Sequence, residues 1–383
     1  MIKPVLLPQR TQFYGVGTPY ILYDIKRDKH WLLFTGWSDR NGIKREGYVA
    51  PIDRSLNVDL SRAVKILPYN FPVDANYTNN AVRGFYNETR DEYYITSTHG
   101  DNAYLFIFDP EWKLKGYKIL MKDLKKDSGL PIRPTGAYRY MHDAIAVSPN
   151  SDSSGIELYR IMNIYDLEKV TVQSFGEFGV WSRANDVLDL TLIPRLQVFV
   201  EMNTLSKWML QTFIGPSLDE IIGIEDLDKF AILQGSLMPL LGIDDTFVQV
   251  GHPHYTTEPD GKPKLFFVSF RDTYTVEQEK NKEGYAHEIW VEEVPLSIFD
   301  PRSYGELRGK FKGKESKWYY VPYAKRLIIG LTDEAELLMK INIYDEIIDK
   351  MKLKKGINVI DNPVTWIKIY SDKEIEAIIK AIY

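Results

Sequence analysis

Two histidines one residue apart, His252 and His254, lie in the stretch VGHPHYTTEPDGKPKLFFVSF of a 383-residue chain that holds only 6 histidines. A regular strand repeats its side-chain direction every two residues, so both imidazoles would share one face. Three roles suit such a pair: contacts to a polar ligand such as a sugar, half of a transition-metal site, or a structural rim. A metal needs a third ligand, for which His142 and Asp143 are the candidates. Asp143 in MHDAIAV and Asp186 in RANDVLDL each lead a strand-like run. A carboxylate there can serve as a general base or orient substrate hydroxyls, or it can bind backbone amides at a strand start. Asp189 follows Asp186 at an odd offset, so the two would face opposite sides of a strand. Arg83 and Arg183 suit bidentate bonds to a uronate, sulfate or phosphate, and equally an ion pair between sheets. Tyr14, Trp37 and Trp181 offer flat faces to sugar C–H groups, with packing between sheets as the alternative.

The elements that would position these residues read as strands. Aromatic residues make up 13% of the chain. They gather in runs such as HWLLFTGW, EYYITST, AYLFIFD and KLFFVSF, a composition that favours strands. Turn signals such as Arg40-Asn41-Gly42 and Pro259-Asp260-Gly261 separate them. One plan recurs in five segments, opening at Thr18, Ala81, Asp143, Asp186 and His252, with separations of 63, 62, 43 and 66 residues. Three to four strands per unit at this spacing predict an all-β, five-bladed β-propeller, with opening strands lining a central channel, or a six-bladed ring that recruits the C-terminal strands. The blades fall at about 14–60, 78–120, 140–175, 183–220 and 249–300 of a single domain. Residues 221–248 read as an insertion. The segment 301–383 reads as ring closure, followed by a short C-terminal helix in SDKEIEAIIKAIY, with Ser371 as N-cap and Glu374 at the capping-box position.

The motifs TPYILYD…KHWLLFTG, MHDAIAV and GHPHYTTEPDGKPKLFFVSF resemble, in order and spacing, those of the five-bladed propeller glycoside hydrolases. These are the arabinanases and xylosidases, with fructosidases and mannoside phosphorylases more distant. The resemblance implies a hydrolase with carboxylates around the axis, spaced about 5–5.5 Å apart for direct attack or about 6.5–9.5 Å apart to admit a water. The chain departs from that pattern. Thr18 stands at the blade-one acid position, Asn79, Asn80 and Ala81 stand in blade two, and Arg183-Ala184-Asn185-Asp186 opens blade four. The catalytic candidates are therefore Asp143 and Asp186, and the substrate-binding candidates are His252, His254, Trp181, Arg83, Arg183, Thr18 and Asn80. Two functions follow: a divergent glycoside hydrolase acting at the channel mouth, or a non-catalytic glycan-binding or structural propeller in a larger assembly. Neither requires a cofactor, and a calcium ion at the axis is compatible with both.

The bulk composition excludes several classes. Net charge is −5 without a dense basic run, which argues against a nucleic-acid partner. No apolar run reaches the length of a membrane span, and MIKPVLLPQR lacks the core of a signal peptide, so the default expectation is cytoplasmic. Cysteine is absent. Abundant Lys, Glu, Ile and Tyr with sparse Gln point to a thermophilic source. No phosphate-loop, dinucleotide, serine-hydrolase or zinc-protease motif is present. A carbohydrate or glycan remains as the expected partner, with a homo-oligomer or assembly contact beside it.

Overall fold

The computed structural model describes residues 2–39, 44–72, 78–99, 102–121, 136–140, 143–150, 155–162, 171–177, 183–187, 197–203, 208–214, 230–236, 247–271, 287–295, 297, 302, 305–341 and 346–383, with backbone alone at 78–81, 120–253 and 270–271. After β1 (Lys3–Leu6), four strands pair in chain order: β2 (Gly15–Asp24), β3 (Lys29–Trp37), β4 (Arg45–Pro51) and β5 (Val64–Leu67). The second sheet repeats this with β6 (Thr78–Asn87), β7 (Glu92–His99), β8 (Asn102–Phe108) and β9 (Leu114–Met121). The third holds β10 (Gly136–Tyr140), β11 (Asp143–Asn150), β12 (Gly155–Met162) and β13 (Thr171–Glu177). The fourth holds β14 (Arg183–Val187), β15 (Gln197–Asn203), β16 (Trp208–Ile214) and β17 (Phe230–Ser236). The fifth holds β18 (Phe247–Thr256), β19 (Lys264–Arg271) and β20 (Glu288–Glu293), with β1 as its outermost strand. The first strands of neighbouring sheets touch in sequence: β2 on β6, β6 on β10, β10 on β14, β14 on β18, and β18 back on β2. This arrangement is a β-propeller.

Where side chains are described, apolar residues of sheets one, two and five pack between the sheets. Leu32, Leu33 and Phe34 in β3, and Leu105 and Phe106 in β8, are fully buried, each contributing about 1.5–3 kcal/mol relative to exposure. Between the first two sheets, Tyr93 stacks on Trp112 at 4.0 Å and 7°, with Trp31 edge-on to Trp112 at 5.4 Å.

The last strands are β21 (Glu306–Glu315), β22 (Trp318–Tyr320), β23 (Arg326–Leu331), β24 (Ala335–Lys340), β25 (Asp349–Leu353), β26 (Gly356–Asp361) and β27 (Trp366–Ile382). They do not close the ring, contrary to the sequence expectation. The amino-terminal β1 does so, pairing antiparallel with β20. Instead β21 and β22 pair with β17, extending the fourth sheet into a curled sheet whose spine is β27. The expected C-terminal helix is the second half of that spine. Ile375, Ile378, Ile379 and Ile382 have helical spacing, yet the structure buries Ile375, Ala377, Ile379 and Ala381, a period of two. Strand neighbours β21 and β23 on either side outweigh a local helical pattern. The hydroxyl of Ser371 does not cap a helix. It donates to the carbonyl of Glu334 at 2.9 Å. Residues 230–236, expected within an insertion, are the fourth strand of the fourth sheet.

Candidate functional site

In each sheet the first strand runs from a leading end to a hairpin end, where it turns into the second strand. The first strands of sheets one, two, four and five share a feature invisible in composition: each is bulged. The ladder between β2 and β3 shifts between Gly17 and Tyr20. That between β6 and β7 shifts between Asn79 and Arg83. In sheet four the shift falls between Ala184 and Asp186, and in sheet five between Gly251 and His254. A bulge re-aims the residue inside it and often sits beside a functional site. Inside these bulges lie Thr18, Asn80, Asn185 and His252. Directly after them, where the ladder resumes, lie Tyr20, Arg83, Asp186 and His254. The first strands that carry these bulges meet around the ring.

Side chains from three of these strands meet. Tyr20, Arg83 and His254, from three sheets, form one stack. The guanidinium of Arg83 lies 5.6 Å from the Tyr20 ring centre, and the imidazole of His254 lies 4.1 Å from the same ring. Arg83 is 1% exposed and donates from Nη1 to the carbonyl of Pro19, within the neighbouring bulge, at 3.4 Å. A guanidinium loses little by facing an aromatic ring and gains a cation–π attraction. Thr18 is buried, with φ of +50°, and shares a short hydroxyl–hydroxyl hydrogen bond with Thr35 of β3. A β-branched residue in the left-handed region is rare and marks functional or switch segments more than ordinary turns.

Sequence reasoning missed His99, which pairs with Thr78 at the leading end of the second sheet. It is fully buried against Tyr104 and Phe106, and both ring nitrogens lack a hydrogen-bond partner among the described residues. Burial pushes its pKa down to about 4. The one sequence signal was a histidine ending a strand just before Gly100-Asp101.

Other expectations change. Asp143 does not open the third sheet. It pairs with Tyr140 at the hairpin end of β10 and β11, away from the leading end at Gly136, because the apolar run that follows it is the second strand. The shared face expected for His252 and His254 assumed unbroken alternation, which the bulge between Gly251 and His254 interrupts. Arg183 begins β14 opposite Glu201. Trp37 is no open platform: it is buried, with His287 at 4.3 Å and Arg45 over its ring, whereas Tyr14 is 46% exposed. His142, Trp181 and Asp189 lie outside the described residues. Among the described residues no group of three His, Asp or Glu could hold a metal.

At the hairpin ends, charges are matched within the protein. Buried Asp24 accepts hydrogen bonds from Tyr93 and from the guanidinium and backbone of Arg27. Arg27 also pairs with Asp91 of the second sheet at 2.8 Å, and Tyr86 donates to Asp91 at 2.6 Å. The Arg27 guanidinium holds the Asp91 carboxyl well below the usual range. His30 meets Glu258 of the fifth sheet at 2.6 Å, under the stacked ring of Tyr23. These acids clamp sheets together.

The catalytic domain of the GH62 α-L-arabinofuranosidase of Coprinopsis cinerea superposes with a TM-score of 0.50 at 10% identity, over 76% of this chain and 94% of that one. The fold is shared with a glycoside hydrolase. The α-L-arabinofuranosidase of Podospora anserina matches at a TM-score of 0.49 and 11% identity, over 76% of this chain and 94% of that one. The sucrose-6-phosphate hydrolase of Lactobacillus gasseri matches at 0.49 and 10% identity, over 100% of this chain and 93% of that one. No family model and no curated protein matches the sequence. The propeller resemblance read from the sequence holds at the level of fold.

Proposed function

We propose that this protein is a five-bladed, carbohydrate-binding propeller whose sugar site lies at the axis, where the bulged first strands meet. The observation that supports this most is the repeated bulge in sheets one, two, four and five. Thr18, Asn80, Asn185 and His252 lie inside these bulges, and Tyr20, Arg83, Asp186 and His254 directly follow them. Hydroxyl, amide and imidazole groups backed by a cation suit the alternating donors and acceptors of a sugar. A second reading, a divergent hydrolase, draws on Asp186, whose register matches that of Arg83 and His254. It needs a second carboxylate across the sugar ring. Asp143, the sequence's other candidate, begins at the hairpin end of its sheet, which favours binding over hydrolysis.

A thermal-shift screen with arabino-, xylo- and fructo-oligosaccharides, uronates and Ca²⁺ tests this on the wild type and on H252A. A ligand that binds only the folded state raises the melting temperature by mass action. The proposal expects at least one sugar to stabilise the wild type and H252A to lose that shift. If no sugar shifts the wild type at millimolar concentration, the axial site does not bind carbohydrate. Turnover of that sugar, lost in D186N with binding retained, would favour the hydrolase.

A further inference from the structure

The curled carboxy-terminal sheet ends in an edge strand that lacks the usual protections. β26 pairs with β23 on one side and, among the described strands, with nothing on the other. Natural edges are blunted by bulges, prolines or charges along their length, because a bare edge recruits another strand. β26 is the sequence GINVID, its ladder with β23 is unshifted, and its only charge is Asp361 at the end. Its outward face is apolar: Ile357 is 79% exposed and Val359 56%. The neighbouring strands continue that face. Gly330 and Ile328 of β23 lie opposite Ile357 and Val359, and Ile378 of β27, next to Gly330, is 51% exposed. No side chain rises over Gly330, where an added Cβ would meet open space, so the face is flat at its centre.

We propose that β26 pairs antiparallel with β26 of a second copy of this chain, about a two-fold axis through Asn358. That register places Ile357 opposite the Val359 of the second copy, and Lys355 opposite its Asp361. Ile357, Val359 and Asp361 are exposed on one face of β26, since alternate residues of a strand share a side, and Lys355, also exposed, directly precedes the strand. Both ends of the strand therefore become opposite-charge pairs while the middle is apolar. Asp361 already accepts from Arg326 at 2.6 Å, so each end becomes an Arg–Asp–Lys cluster. A one-residue slip would set Lys354 opposite Asp361 and turn Ile357 against Asn358. Self-complementarity in charge and shape is what a two-fold interface requires of a single patch, and adding a strand supplies main-chain hydrogen bonds as well as contact.

Sedimentation equilibrium of the full chain at tens of micromolar tests this. The wild type should have twice the monomer mass. K355D and D361K should each be monomeric, because like charges then meet at both ends of the ladder. An equimolar mixture of the two should recover the doubled mass, since every end again pairs opposite charges. I357K should be monomeric and should gain nothing from mixing. A monomeric wild type overturns the proposal. So does a dimer that survives K355D, or a mixture of folded variants that fails to associate.

Discussion

Replacing His99 with phenylalanine should remove an acid-sensitive weakness from the second sheet. The imidazole is fully buried among aromatic rings and has no hydrogen-bond partner among the described residues, so the folded state holds it neutral, with a pKa of about 4. In the unfolded chain it titrates near 6.5. Between those values the unfolded state binds a proton that the folded state refuses. Stability is thus lost as pH falls from about 6.5 towards 4, and no further below that. That depression gives a ceiling of about 3 kcal/mol, most of it reached by pH 4.5. Urea denaturation of wild type and H99F at pH 7.5 and 4.5 isolates this contribution, because carboxylates titrating over the same range act equally on both proteins. The wild type should lose about 2 kcal/mol more than H99F on acidification. Equal losses, within about 0.5 kcal/mol, would mean that the folded protein protonates His99 without penalty and that the leading end of sheet two is wetter than the structure describes.

Three further outcomes follow from the fold. D24A removes the buried acceptor shared by Tyr93 and Arg27 and should cost about 3 kcal/mol by chemical denaturation; a double-mutant cycle with Y93F should show coupling between the two. G84A places a Cβ 1.9 Å from the carbonyl oxygen of Tyr94, so the strand must shift, and a loss of about 3 kcal/mol or more is expected in the same measurement. Deleting residues 1–7 removes the strand that closes the ring against β20, and the melting temperature should fall by several degrees or more, with Leu6 alone contributing about 2 kcal/mol through its burial.

The repeat was legible because strand composition and turn signals survive in a single sequence. Opening residues Thr18, Asp186 and His252 fall within first strands. The third blade was misassigned for a physical reason. GAYRY, its true first strand, is short and includes a charged Arg139, whereas DAIAVSPN looks like a buried strand. Composition ranks strands by burial, not by their order from the axis. Ring closure was missed for a related reason. Pairing of β1 with β20 joins residues about three quarters of the chain length apart, and KPVL has nothing to distinguish it from any short edge strand.

The bulges explain both the success and the limit of reading the site. Residue types pointed to Thr18, Asn80, Asp186 and His252, and all four lie in or directly after a bulge. Two of the bulges carry the same signature, Gly-Thr-Pro at 17–19 and Gly-His-Pro at 251–253. A proline lacks the N–H that a ladder position needs, so a strand that contains one accommodates it at an edge or a bulge. That signal was available, yet alternation was assumed to run through it. The same error appears in the final strand, where Ile378 completed a helical pattern. Its outward exposure makes no sense for a helix packed on a propeller, but it does for one residue of an apolar face beside β26. In both places the sequence departed from a regular local pattern for a structural reason: a bulge in the first strand in one case, an outward-facing residue of a long strand in the other.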